Sequence, residues 1–334
     1  MTQSKNTKIK VLYLLDVFRT ETDEEHRLGV PELARKIQEN GLTVERKSIY
    51  RDIETLIEYG FDIQQTKTGY YLGKREFERS ELRLLISAVQ AAGFISEQRS
   101  CALVEKLLGL TSLPQAEAMR RQTNIGGVKC GTDEVFHTIE MVNLAIAQGC
   151  RIGFFYIKRD VSKRNIVQRS GQSYHVSPYA MIWMQDRYYL VGNMENRDNL
   201  THFRLDRMQN VQLEAVPARP CSEVSPYMVS FDAADYARKC LNMFGGDVVR
   251  ITLRAQMRLV SDILDRFGDD TVLRCDAQDE NYFYAYVQAT EGVGFLSWAA
   301  QYGAAVEIVE PPSLREAMRA RLQESAALYE PKPR

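Results

Sequence analysis

The sequence predicts a multidomain α+β protein. The chain has 334 residues, more than one ordinary hydrophobic core requires, so two or three domains are expected. Apolar residues recur at helical spacing through the first part of the chain, and the period changes from about 3.6 to about 2 after Gly149. Near the C-terminus, strand-like and helix-like segments alternate. These patterns predict a helical N-terminal part, a central β-domain and a C-terminal α/β domain.

The composition is that of a folded soluble protein, with 45% hydrophobic and 26% charged residues. The formal net charge of -1 does not argue against a nucleic-acid partner, because a basic face can lie on a protein that is neutral as a whole.

Neither the cysteines nor the histidines have the spacing of metal ligands. The six cysteines lie far apart without a C-x-x-C pair, and there are only four histidines. We therefore expect no metal and no cofactor, and we expect the cysteines to be small buried residues in a reducing cytoplasm. The N-terminus has no apolar signal segment, and no stretch reaches membrane-span length. We expect a cytoplasmic protein without a membrane partner.

Residues 1–75 carry three helical segments. The second, VPELARKIQENG, has Pro31 near its start and Gly41 just past its end. The third, TVERKSIYRDIETLIEYG, predicts one buried helix face, formed by Ile49, Ile53, Leu56 and Ile57. The opposite face carries Lys47, Tyr50, Arg51 and Glu54.

A β-hairpin with a basic tip at Lys67 is predicted directly after the third helix, from the run FDIQQTKTGYYLG. This order is the winged helix-turn-helix arrangement, in which the third helix suits the major groove of double-stranded operator DNA. The expected DNA-binding residues are Arg46, Lys47, Ser48, Tyr50, Arg51, Lys67 and Tyr70. Taken alone, the face of the third helix is equally compatible with an ordinary solvated surface.

The run SIYRDIETL followed by GYYL resembles the helix-turn-helix of DeoR-like and related bacterial repressors. Those proteins typically have Thr where this sequence has Ser48. The resemblance implies that Asp52 holds the fold together and does not touch DNA.

Residues 76–132 predict a helical connector with a dimerising surface. Ser80 is the expected N-cap of its first helix, with Glu81 in the first turn. Leucine-rich stripes follow between residues 82 and 108. A polar, glycine-bearing stretch then predicts a domain boundary near residues 125–133.

A central β-domain is predicted after one further amphipathic helix that ends at Gly149. The short strand-like runs are RIGFFYI, NIVQR, YHVSPYAMIWM, RYYLVGN, LTHFRL and NVQLEAV. Several short strands after one helix predict a small, strongly bent sheet that closes on itself. Within it, the alternation of HFRLD places Phe203 and Leu205 in the core and Arg204 outward.

Two motifs in this region resemble the WYL domain, a family named for a Trp-Tyr-Leu run. The sequence SPYAMIWMQDRYYLVGN contains Tyr188, Tyr189 and Leu190 at that run, with Tyr in place of Trp. The family's Phe-Arg-Leu-Asp-Arg run is intact at residues 203–207, with Met208 in place of Ile. The resemblance covers residues 133–216 and implies a WYL effector-binding domain over residues 133–220, with a small five-stranded Sm-like β-barrel.

The WYL resemblance also implies an anionic effector, either a single-stranded nucleic acid or a nucleotide-like ligand. The implied effector-binding residues are Tyr156, His175, Ser177, Tyr188, Arg204 and Arg207. Arginine binds phosphate through a planar fork, and tyrosine offers a stacking face. We expect Arg204 and Arg207 to share one pocket with Tyr188, and we expect Tyr189 and Leu190 to pack in the core. A salt bridge from Arg207 to a neighbouring acid is the open alternative.

The C-terminal residues 245–330 predict the order β-α-β-α-β-α, which gives a ferredoxin-like α/β sandwich. The run LSWAAQYGAAVEIVEPPSLREAM also resembles the C-terminal extension of WYL regulators, including its two consecutive prolines.

No catalytic residue is predicted, because the sequence has no G-x-S-x-G, Walker loop, H-E-x-x-H or Cys-His pairing. The leading interpretation is a ligand-responsive bacterial transcription regulator that forms a homodimer, since two-fold proteins commonly read two half-sites. Two alternatives stay open: a nucleic-acid-processing enzyme targeted by the winged helix, and a constitutive dimeric repressor without an effector.

Overall fold

The structure is a computed structural model, and it describes residues 2–122, 129, 134–162, 164–168, 171–228 and 230–330. The chain divides into two compact units, Met1–Gly131 and Thr132–Arg334. The mixed α/β, multidomain class predicted from the sequence is confirmed. The predicted boundary segment 125–133 lies almost entirely outside the described residues.

The first unit contains six helices and one hairpin within the described residues. They are α1 (Thr2–Glu21), α2 (Val30–Glu39), α3 (Arg46–Tyr59), β1 (Ile63–Gln65), β2 (Tyr70–Leu72), α4 (Arg79–Ala91), α5 (Glu97–Leu108) and α6 (Leu113–Gln122). The strands β1 and β2 are antiparallel, and Leu28 adds a bridge to Tyr70. This bridge requires Gly69, since a Cβ there would lie 2.6 Å from the backbone of Leu28.

Helices α1–α3 and the hairpin share one apolar core. The buried side chains include Leu14, Phe18, Leu33, Ile37, Ile49, Ile53, Leu56, Ile63 and Leu72. The predicted inner face of α3 is confirmed except at Ile57, which is 47% exposed. At 3.6 residues per turn, Ile57 lies about 80° around the helix from Ile49, at the edge of the apolar stripe.

A buried ion pair joins α1 to α3. Lys10 Nζ lies 2.7 Å from Asp52 Oδ2, with the two side chains 8% and 10% exposed. The same ammonium donates a hydrogen bond to Ser48. The prediction that Asp52 is an internal structural residue is therefore confirmed.

The connector helices α4–α6 pack against one another. Their core consists of Leu82, Ile86, Val104, Leu108, Ala116 and Met119. The apolar stripes of residues 82–108 are therefore largely covered within the unit, and they do not by themselves require a partner chain. Ser80 is not the N-cap of α4; Glu78 is, and its amide donates to Glu81 Oε2 at 2.8 Å.

The second unit begins with α7 (Glu134–Gln148) and continues into a curled sheet. Its strands are β3 (Cys150–Arg159), β4 (Asn165–Val167), β5 (Tyr174–Met184), β6 (Arg187–Met194), β7 (Leu200–Arg204) and β8 (Met208–Pro217). All six predicted runs are strands, so the described sheet has one strand more than the five expected. The order is β4-β3-β5-β6-β7, and β8 pairs with β3.

The rest of the second unit consists of helix α8 (Ala233–Lys239) and a four-stranded antiparallel sheet with its helices. These are β9 (Val248–Gln256), α9 (Val260–Phe267), β10 (Val272–Cys275), β11 (Tyr282–Thr290), α10 (Val293–Ala300), β12 (Val306–Glu310) and α11 (Pro312–Ala327). The strand order is β10-β11-β9-β12. The predicted element order lacked β10, because its short run follows a glycine- and aspartate-rich turn.

The cysteines are less buried than predicted. Cys240 is buried, whereas Cys101 and Cys275 are exposed, and Cys130 lies outside the described residues. Among the described residues there is no cluster of three side chains suited to a metal ion. No described helix is long and apolar enough to cross a membrane.

We expect Asp52→Ala to lower the free energy of unfolding of the first unit by about 3–5 kcal/mol, because it leaves the Lys10 ammonium buried without its counter-ion. Urea unfolding followed by circular dichroism measures the loss. Glu54→Ala, on the exposed face of the same helix, is the matched control and should change the free energy by less than about 0.5 kcal/mol. Equal stability of the two variants would contradict a structural role for the pair.

Candidate functional site

The outer face of α3 carries exposed cations. Arg46, Lys47 and Arg51 are exposed, and Tyr50 beside them is 38% exposed. Among the described residues, none of the three cations has an ion-pair partner. The face is therefore free to contact an anionic surface.

The hairpin presents a second basic group at its tip. Lys67 is exposed within the Thr66–Gly69 turn, which is closed by a hydrogen bond from the Thr66 amide to the Gly69 carbonyl. Arg27, which the sequence analysis missed, donates from Nη1 to Thr68 Oγ1 at 3.3 Å. Arg27 lies near the hairpin tip because the neighbouring Leu28 bridges to Tyr70. This pairing joins residues that are far apart in the sequence, so no local pattern predicts it.

Two of the predicted DNA contacts are placed differently. Tyr70 is only 8% exposed and packs in the core, and burial raises the pKa of its phenol. The alternation of β2 turns Tyr71 outward in its place, with the Arg27 guanidinium 5.6 Å from its ring centroid. Ser48 is half-buried and bonded to Lys10, so its hydroxyl is already engaged.

In the curled sheet, Arg204 is held by Asp206. Its Nε and Nη2 atoms donate to the two carboxylate oxygens at 3.0 and 2.6 Å. Burial acts to lower the pKa of Arg204, but the hydrogen bonds and the charge of Asp206 raise it overall. The expected orientation is confirmed, since Phe203 and Leu205 are buried. The expectation that Arg204 is free to bind is wrong, because Asp206 engages its planar fork.

Arg187 is a further cation at the same carboxylate, and the sequence analysis missed it. Its Nη1 lies 3.8 Å from Asp206 Oδ2, whose side chain is 4% exposed. This nitrogen is buried, and no described residue accepts a hydrogen bond from it. The register that pairs Tyr189 with Arg204 brings β6 and β7 together here.

Arg207 is the third cation of this group, and it has no ion-pair partner among the described residues. It ends the 3₁₀ turn Leu205–Arg207. Burial raises the pKa of the Tyr156 phenol, and the charges of Arg207 and Arg204 both act to lower it, so both guanidinium groups lie near that side chain. The salt bridge to a neighbouring acid that was the alternative for Arg207 is thus formed by Arg204, with Asp206 as its partner.

We call Arg187, Arg204, Arg207 and Asp206 the arginine cluster. Arg187 and Arg204 share the Asp206 carboxylate, and Arg207 has no ion-pair partner among the described residues, so the cluster carries an excess of positive charge. A phosphate or carboxylate is the chemical group that would balance it.

The remaining predicted effector residues are not all brought to the cluster. Tyr156 is near it: its hydroxyl accepts from the Arg204 amide at 3.0 Å, and burial raises its pKa. Ser177 is buried and accepts from the Arg219 amide. Tyr188 pairs with Trp183 and lies on the opposite strand face from Tyr189 and Arg204, so the expected shared pocket does not include it.

His175 belongs to a separate hydrogen-bond chain. Its Nε2 lies 3.0 Å from Ser173 Oγ, and its Nδ1 contacts Glu214, which also pairs with Arg151 at 3.1 Å. The order of hydroxyl, imidazole and carboxylate is that of a hydrolytic triad. However, Arg151 pairs with the Glu214 carboxylate and offsets its charge. The hydrogen-bond chain also lies on an open surface, where it joins β3, β5 and β8. We assign it a structural role.

A cleft of 1030 Å³ elsewhere in the second unit is unsuited to an anion. Its lining includes the carboxylates of Asp198, Asp235, Asp247 and Glu291 against one ammonium, Lys239. The arginine cluster is therefore the better anion site.

Two family models match the second unit. Residues 137–213 match the WYL domain, and residues 247–326 match the WCX domain. The arginine cluster lies within the first match. The chain is also 23% identical over 299 residues to the uncharacterized HTH-type transcriptional regulator YobV of Bacillus subtilis (strain 168), covering 85% of this chain and 90% of that protein.

Two solved structures show weaker likeness. Proteasome accessory factor B/C of Arthrobacter aurescens is 18% identical with a TM-score of 0.29, and the match covers 96% of this chain but only 49% of that one. A CRISPR Cas-related protein is 14% identical with a TM-score of 0.36, covering 76% of this chain and 74% of that one. Both TM-scores lie below 0.5.

The chain thus carries a WYL match followed by a WCX match, and together with the regulator relative these matches support a WYL-domain transcriptional regulator.

Proposed function

We propose that the chain is a ligand-responsive bacterial regulator in which the first unit binds operator DNA and the curled sheet binds an anionic effector. The observation that carries the proposal is the arginine cluster, where Arg187 and Arg204 share one buried carboxylate and Arg207 has no ion-pair partner among the described residues. A nucleotide-like molecule or a single nucleic-acid strand has the phosphate that would balance this charge.

In this proposal α1–α3 and the hairpin form a winged helix-turn-helix, the curled sheet is an Sm-like barrel, and the last sheet with its helices is a ferredoxin-like sandwich. The unpaired cations on α3 and the Lys67 tip support DNA binding, because Arg and Lys contact phosphates and guanine edges. We add Arg27 and Tyr71 to the proposed DNA contacts and remove Tyr70 from them.

Two alternatives can be separated experimentally. A nucleic-acid-processing enzyme would cleave DNA or turn over nucleotides, which assays on the purified protein detect. A constitutive repressor would bind its operator with the same affinity whatever small molecule is present. Native mass spectrometry of the purified protein is the direct way to find a bound effector.

The DNA-binding assignment predicts different effects for Lys67 and Arg51. Lys67→Ala should weaken binding to all duplexes alike and reduce the slope of log K against log salt by about 0.9, because one phosphate contact is lost. Arg51→Ala should cost about 1–3 kcal/mol on the operator alone if it contacts a base. Gel shifts with DNA from the surrounding locus measure both. Lys106→Ala, exposed on α5, is the control, and no shift by wild-type protein at low salt would refute the assignment.

We also propose a homodimer, since two half-sites are commonly read by two-fold symmetric proteins. Light scattering at micromolar concentration without DNA should give twice the chain mass of 38.3 kDa. The mass of a single chain would contradict the proposal. Leu84, which is 70% exposed on α4, remains available for such a contact.

Arg207→Ala should abolish the change in operator affinity on adding effector while leaving folding and basal DNA binding intact, because this guanidinium has no ion-pair partner among the residues that the structure describes. The matched variant Arg204→Ala should instead lower the thermal midpoint, since it removes the bidentate partner of a buried carboxylate. Operator titrations with nucleoside phosphates and the co-purified molecule measure the response. A normal response in Arg207→Ala would place the effector elsewhere.

A further inference from the structure

We propose that the open face of the C-terminal sheet binds single-stranded nucleic acid by stacking unpaired bases on Tyr284 and Tyr286. This surface is distinct from both α3 and the arginine cluster, and the proposal does not depend on either.

The two faces of this sheet differ sharply in composition. On β9 and β11 the inward residues are apolar and buried, among them Ile251, Leu253, Ala255, Phe283, Ala285 and Val287. The outward residues are half-exposed or exposed and are Arg250, Thr252, Arg254, Gln256, Tyr282, Tyr284, Tyr286 and Gln288. Three tyrosines at alternate positions of one strand thus face outward together.

The tyrosines alternate with arginines across the strands. The register places Tyr284 between Arg274 on β10 and Arg254 on β9. Tyr286 is 42% exposed, with the Arg274 guanidinium 5.5 Å from its ring centroid. Aromatic faces beside cations are the combination that binds a single strand, whose bases stack while its phosphates are neutralised.

Some side chains on this face are held by neighbouring residues, and others are available to contact a ligand. Arg254 donates to Asp276 at 2.7 Å and stacks on Tyr282 at 3.9 Å from the ring centroid, so Tyr282 is partly covered. Arg250 and Arg274 have no carboxylate partner among the described residues. Tyr284 and Tyr286 are therefore the stacking groups, and Arg250 and Arg274 are the phosphate contacts.

A single strand fits this face better than a duplex or a second copy of the chain. In a duplex the base faces are stacked inside and cannot reach the tyrosines. A two-fold contact between identical sheets would set the unpaired arginines of one copy against those of the other. The carboxylate of Glu307, on the neighbouring strand, is already paired with Arg315 at 2.7 Å.

The test compares a fluorescein-labelled twelve-thymidine strand with an abasic strand of equal length by anisotropy, using the full-length protein. Tyr284→Ala and Tyr286→Ala should each weaken thymidine binding at least about fivefold and leave abasic binding unchanged, because each removes one stacking face. Tyr284→Phe and Tyr286→Phe keep the ring and should bind like wild type. Tyr329→Ala is the control, since Tyr329 is 90% exposed outside the sheet.

Arg274→Ala should weaken both strands alike and reduce the salt slope by about 0.7. Wild-type affinity in both alanine variants would overturn the proposal, as would an equal loss on the abasic strand. Loss of thymidine binding in Arg207→Ala alone would assign the strand to the arginine cluster and overturn it too. A fall in oligomeric mass of the tyrosine variants by light scattering would show a contact between copies instead.

If the alanine variants fail to fold, wild-type protein can be crosslinked to a strand containing 4-thiothymidine. Crosslinks within residues 282–288 would support the proposal, and crosslinks confined to other peptides would overturn it.

Discussion

The curled sheet of the second unit depends on one short connection. In the order β8-β3-β5-β6-β7, the two end strands are joined by only three residues, Leu205–Arg207. Five flat strands would separate the end strands by about 19 Å, at about 4.8 Å per step. The backbone from Arg204 to Met208 reaches at most about 14 Å. The sheet must therefore curl until its ends approach, and the turn that closes it carries the arginine motif.

This connection explains why one short motif holds a paired arginine, Arg204, and a second arginine, Arg207, that has no ion-pair partner among the described residues. The buried Leu205 anchors the turn in the core, and Asp206 fixes Arg204 through two hydrogen bonds. A single carboxylate cannot also satisfy Arg187 and Arg207. The charge left over is thus a consequence of closing the sheet through residues 204–207, which contain two arginines and one acid. Breaking the Arg204–Asp206 pair would disturb the closure of the curled sheet, whereas the fold does not require the Arg207 side chain.

The periodicity of the sequence predicted most of the elements, including all six strands of the curled sheet, and the alternation around Phe203 predicted which way Arg204 points. What it missed depends on pairings between distant segments. The Lys10–Asp52 pair and the Arg27 contact at the hairpin tip arise from tertiary packing. Family resemblance selected Tyr188, but the β6–β7 register places Tyr189 opposite Arg204. The β10 strand was missed because four residues give too short a pattern to detect.

An effector can act as a switch only through a difference in its affinity for two states of the protein, and coupling of about 1–3 kcal/mol is typical. The arginine cluster is placed where such a difference can arise. Its turn, Leu205–Arg207, packs against α7, the element that follows the first unit along the chain. An anion bound by Arg187 and Arg207 would also attract Arg204 and so compete with Asp206 for it. The Leu205–Arg207 turn would then shift relative to α7. The response would then depend on how strongly α7 favours one position of that turn, and not on the strength of anion binding alone.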